Sequence, residues 1–131
     1  MNKLHTTNYY NTFIEIADDS KATEGSAPPA KEPKTAAQIQ YEMLIDSPYH
    51  YTSDDVLYVS NGQRRGLSRE EFFSKGQPCF RTSALCKRYG WGIHCDHEGK
   101  VAIYAVGTAQ YDDLKRDGTI KQIMAIRSSR K

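Results

Sequence analysis

GWGIHCDHEGKVAIYAV, residues 90–106, is the stretch on which the fold class turns. Two runs with β-branched and aromatic residues, GWGIHC (90–95) and KVAIYAV (100–106), flank DHEG (96–99). Gly99 can take the positive φ that a short hairpin loop demands. The segment therefore predicts an antiparallel hairpin. Side chains alternate across a strand, so His94 points away from the face that Trp91 and Cys95 share.

Downstream of the hairpin, Thr108 caps a predicted helix to about Arg116, Gly118 stops it, and IKQIMAIR (120–127) reads as a last strand. The SSRK tail is expected to fray. Upstream, Ser68 and Glu71 form a capping-box pair that opens a short helix, with Phe72 and Phe73 as buried anchors and Gly76 as its end. Residues 77–89 read as irregular, with one helical turn around Ser83–Lys87. A helix is predicted from Ser53, with Asp54 and Asp55 complementing its dipole and Asn61-Gly62 ending it. A short strand over 56–59 is the alternative.

Thr35 caps a further helix, with Gln38 placed to reach back as in a capping box. Its core stripe is Ala36, Ile39 and Met43, and Pro48 ends it. YYNTFIEIA (9–17) is a predicted strand. The following DDSKATEGSAPPAKEPK (18–34) is a polar loop in which Gly25, Pro28, Pro29 and Pro33 oppose regular structure. A connection of that length is expected either to move or to fold over a site as a lid. The order of elements predicts an α+β fold over residues 1–131 as a single domain. Its sheet, antiparallel or mixed, has about four strands, with three or four helices packed mainly on one face.

At 131 residues and 38% hydrophobic, the chain can bury one core without disulfides or metal. No apolar run approaches the ~20 residues that span a bilayer. The start, MNKLHTTNYYNTF, lacks the apolar stretch of a secretory signal, and an odd set of three cysteines favours reduced thiols. A cytoplasmic protein without a membrane partner is the expectation. No Gly-rich phosphate loop or other cofactor motif is present, and nothing in the sequence sets an oligomeric state.

HTTNYYNTFIEIA (5–17), YTSDDVL (51–57), FFSKGQPC (72–79), KRYGWGIH (87–94) followed by EGKVAIY (98–104), and the terminal RSSRK (127–131) together resemble a small bacterial family of unknown function. The resemblance runs from end to end. It implies a single cytoplasmic bacterial domain and brings no activity, cofactor or site residue with it.

The net charge of +2 conceals an asymmetry: residues 1–66 sum to −3 and residues 67–131 to +5. From Phe72 to Cys95 there is no carboxylate, while Lys75, Arg81, Lys87 and Arg88 are cationic. Such a segment favours an anionic partner, although a solvated surface balanced by the acidic half would share the pattern. The reading this supports is a binding module, non-enzymatic or weakly specific, for a small anionic ligand or a protein. Its pocket would lie between the 76–89 loop and the hairpin, under the 18–34 loop. Arg81, Lys87 and Arg88 would hold negative charge, Trp91 would supply a wall, and His94 a hydrogen-bonding or titrating group.

One alternative is a small cytosolic enzyme in which Lys75, Arg81 and His94 activate Cys79. Free cysteine is more often core than nucleophile, so no catalytic residue is assigned. Another is single-stranded nucleic-acid binding through the same cations with Tyr89 and Trp91. The low charge and the absence of a recognised motif argue against it. The spacings Cys79-x6-Cys86 and Cys86-x8-Cys95 match no zinc knuckle, so no metal ligand is assigned either.

Overall fold

Four isoleucines in register form the spine of the molecule. A computed structural model describes residues 4–127. Its sheet consists of β1 (Thr12–Glu15), β2 (Trp91–Cys95), β3 (Val101–Ala105) and β4 (Lys121–Met124), in the order β3-β2-β1-β4. β2 runs antiparallel to both β3 and β1, whereas β4 is parallel to β1, so the sheet is mixed. Ile103 pairs with Ile93, Ile93 with Ile14, and Ile14 with Ile123. That row crosses every strand on one face, and full burial of such a side chain, as at Ile14 and Ile93, stabilises the fold by about 1.5–3 kcal/mol.

Five helices accompany the sheet: α1 (Ala36–Asp46), α2 (Ser53–Leu57), α3 (Arg69–Phe73), α4 (Ala84–Lys87) and α5 (Ala109–Lys115). Leu44 of α1, Val56 and Leu57 of α2, and Leu85 and Cys86 of α4 join the isoleucine face in one buried cluster. α5 lies on the opposite face. There Tyr111 meets Phe13 edge to face, with ring centroids 5.1 Å apart. The prediction of an α+β fold with helices mainly on one face therefore holds, with five helices among the described residues.

Local chemistry accounts for the element boundaries. Thr52 and Ser68 each make a full capping box, with Asp55 and Glu71 respectively. α2 is helical rather than extended. It runs on through a π-helical turn at Tyr58–Gly62 and a 3₁₀ turn at Gln63–Arg65, and Gly66 ends it at φ 79°. The N-terminal segment secures the start of α2: the Asp54 carboxylate accepts from Thr7 N and from the Thr6 and Thr7 hydroxyls, at 2.6–2.7 Å. In the hairpin loop Gly99 has φ 80°, and Asp96 Oδ1 accepts from the Glu98 and Lys100 amides.

The expected stop at Asn61-Gly62 is overturned, since the helical turns pass through it to Gly66, and two expectations for α1 are corrected as well. Thr35 does cap α1, but the Gln38 side chain turns to Glu42 and to the Lys31 amide instead of back to the cap. The buried residues of α1 are Gln38, Gln40 and Leu44, while Ala36, Ile39 and Met43 are only partly buried, with Met43 packed against the core. Gln40 is inside because its amide donates to Ser60 Oγ (3.1 Å) and accepts from Ser83 Oγ (2.7 Å). A polar side chain enters a core when its hydrogen bonds go with it.

Candidate functional site

The loop at 18–34 closes over the open end of the hairpin. Ser26 N donates to Tyr89 O at 2.9 Å, and Trp91 Nε1 donates to Ser26 O at 2.8 Å. Gly25 sits so near the indole and Ala105 that an added Cβ would lie 2.7–3.0 Å from both. Tyr41 of α1 also packs against Trp91, with ring centroids 5.7 Å apart. The loop is thus a strap, and Trp91 is its clasp. With its ring edge bonded and its flanks occupied, Trp91 is not a free wall for a ligand.

The remaining residues of the expected site are also distributed. Arg81 Nε donates to Met124 O at 2.8 Å, and Arg81 O accepts from Ile126 N, which ties the 80–82 turn to the end of β4. His94 projects from the α5 face of the sheet. Its Nδ1 lies 2.6 Å from Tyr49 Oη, and Tyr49 Oη lies 2.8 Å from Tyr104 Oη. Arg81, Trp91 and His94 accordingly do not converge with Lys87 and Arg88 on one pocket.

Lys87 and Arg88 do remain together. Lys87 ends α4 and Arg88 is its C-cap, and with Asp19, Ser20, Lys21 and Ala22 they line an open groove of ≈ 460 Å³. Lys21 lies outside the acid-free segment, and no local pattern marks it. The turn that carries it is held by Ser20 N donating to Ala17 O and Ala22 N donating to Ser20 Oγ. Among the described residues, the side chains of Lys21, Lys87 and Arg88 make no hydrogen bond or ion pair, whereas Asp19 has an interaction of its own. Three cations and one carboxylate, Asp19, therefore share one concavity, which leaves it an excess of positive charge.

The cysteines divide in two. Cys86 and Cys95 are fully buried, and burial holds both thiols protonated, Cys95 pushed up to about 12. Cys79 is partly exposed, and its sulfur lies 3.2 Å from Tyr9 Oη. Burial, then that hydrogen bond, pushes the Tyr9 phenol up to about 12. Tyr9 packs with the isoleucine face, and His94 is on the other, so the sheet separates the two members of the expected Cys79–His94 pair. No group of three His, Cys, Asp or Glu among the described residues is arranged to hold a metal ion. No helix among them is long and apolar enough to cross a membrane.

The His94 cluster has a pH consequence. Burial lowers the imidazole pKa from its ordinary 6.5, against opposing pulls from Asp96 and Asp117. Only the neutral ring can accept the Tyr49 proton at Nδ1. Unfolded histidine binds its proton first on acidification, so the unfolded state gains protons over the folded one. This contribution is fully present above about 6.5 and declines as pH falls toward the folded midpoint. An NMR titration of the His94 ring is expected to give a midpoint below 6.5. A midpoint at or above that value would contradict the account.

A second concavity, ≈ 470 Å³, lies where the first turn of α1, the π-helical turn and residues 77–84 meet, and Cys79 forms part of its wall. A family model described as a family of unknown function matches residues 4–131. No curated protein and no solved structure matches the chain.

Proposed function

We propose that this chain, which belongs to the DUF6157 family of unknown function, is a cytoplasmic binding module for a small anionic ligand, without catalytic chemistry of its own. The ligand occupies the groove between the 19–22 turn and the end of α4. What supports this reading is the convergence of Lys21, Lys87 and Arg88 on one concavity, with no side-chain partner among the described residues. A guanidinium supplies a planar fork and the two ammonium groups supply point charges, a combination suited to phosphate or carboxylate oxygens. The partly exposed Cys79 and the two buried thiols, all free, agree with a reducing compartment.

The groove is open to water, so its attraction for anions will be screened by salt. Isothermal titration with inorganic phosphate and with a phosphate monoester, at low and at physiological ionic strength, tests the reading. Binding that weakens with salt, and by roughly tenfold in Lys87→Gln/Arg88→Gln, is expected from losing charge-assisted hydrogen bonds. Both side chains point into an open groove, so the double variant should keep its fold and thermal midpoint. Binding that is indifferent to the two substitutions would remove the groove from consideration.

A further inference from the structure

The partly open cavity beside α1 has chemistry of its own. Its polar floor is Gln40, which is 3% exposed and held between Ser60 and Ser83. An amide side chain offers two N–H donors and two acceptor lone pairs. The bonds to Ser60 and Ser83 use one of each, so a donor and an acceptor remain among the described residues. Ser60 is fixed in turn, accepting from Asn61 Nδ2 as well and donating to Leu57 O. This floor cannot turn away from the cavity without breaking buried bonds.

Arg65, an exposed residue, also lines the cavity. Its Nε donates to Asn61 O at 2.7 Å, which anchors the guanidinium on the π-helical turn and leaves both terminal nitrogens without a bond among the described residues. Ala36, Ala37, Pro78 and Ala84 give the cavity its accessible apolar wall, backed by the buried side chains of Leu57 and Phe72. Among the described residues, no carboxylate lines the cavity. A volume of ≈ 470 Å³ lies within the range, roughly 300–1,000 Å³, of small-molecule sites.

We infer that this cavity is a second binding site, for a small organic monocarboxylate with a hydrocarbon body. The fork of Arg65 takes the carboxylate, the apolar wall takes the chain, and Gln40 sets its depth. The inference is independent of the Lys21–Lys87–Arg88 groove, because the two concavities have no lining residue in common. Three cations line the groove, whereas Arg65 is the cation that lines the cavity among the described residues.

The test is an NMR titration of the full chain with sodium hexanoate, with hexanamide as the uncharged control. Saturable shifts are expected at the amides of Ala36, Ala37, Cys79 and Ala84, which surround the cavity. Hexanamide, and hexanoate with Arg65→Gln, should each bind at least about tenfold more weakly, the loss of a charged hydrogen-bond pair. Arg65 is exposed, so that variant keeps its fold. Cys79 is the thiol outside the core, and hexanoate should also slow its alkylation by iodoacetamide. The Lys87→Gln/Arg88→Gln variant should bind hexanoate unchanged. Absence of saturable shifts up to about 10 mM, a limit of weak binding, overturns the inference. So do shifts confined to the groove, or equal affinity for hexanamide.

Discussion

Trp91→Ala is expected to destabilise the protein by about 3 kcal/mol, near the lower end of the range for deleting a large aromatic side chain, because the ring is only partly buried. The loss has two parts. Removing the indole opens a void between Tyr41, Gly25 and Ala105, and it also deletes the bond from Nε1 to Ser26 O. The strap over 22–26 should then exchange its amides faster, Ser26 N above all, since its bond to Tyr89 O would be left to hold that segment. Denaturant unfolding together with hydrogen exchange measures both effects. If the indole were instead a ligand wall, the variant would unfold like the wild type and lose only binding. Unchanged stability with unchanged exchange at Ser26 would refute the clasp.

Gly92→Ala is expected to cost about 2–3 kcal/mol, the upper part of the range for overpacking a filled core. An added Cβ would stand 2.6 Å from Phe13 Cζ and 2.7 Å from Tyr111 Cε2. Phe13 is completely buried and Tyr111 is 3% exposed, so neither ring has free space to enter. Relief requires α5 to lift from the sheet, and that stretches the bond from Ile16 N to Tyr111 Oη, now 3.0 Å. The paired control is Gly118→Ala, where nothing lies within 4 Å of the new methyl and the midpoint should hardly move. Equal thermal shifts for the two alanine variants would mean that α5 is not packed as described.

Much of the architecture was legible in local chemistry. The capping pairs Ser68–Glu71 and Thr35, the alternation of GWGIHC, and Gly99 at the hairpin loop each act within a few residues of themselves. Their readings survive because a cap or a turn is settled by neighbours in sequence. The separation of His94 from Trp91 and Cys95 was legible for the same reason. What failed was convergence. Arg81, Trp91 and His94 each satisfy a partner far along the chain, at Met124, Ser26 and Tyr49, and none of those partners carries a mark in the sequence. Gln40 is a different case: it falls at the helical spacing of the Ala36, Ile39 and Met43 stripe, but its polar side chain can be buried there only because Ser60 and Ser83 bond its amide. Lys21 belongs to a loop read for its prolines, and its place beside Lys87 and Arg88 is a matter of chain path.

The amino-acid sequence alone therefore determined the α+β class, the central hairpin, the positions of helix starts and the charge asymmetry that directs attention to residues 72–95. Those properties follow from interactions of short range, which a linear pattern records. Tertiary structure alone decided that β4 lies parallel beside β1, that the 18–34 loop is a strap, and that the cations divide between a groove, a strand end and a cavity mouth. Those depend on which distant groups satisfy one another once buried. A buried polar group takes whichever partner the closed chain brings within bonding distance, and that choice is made in space.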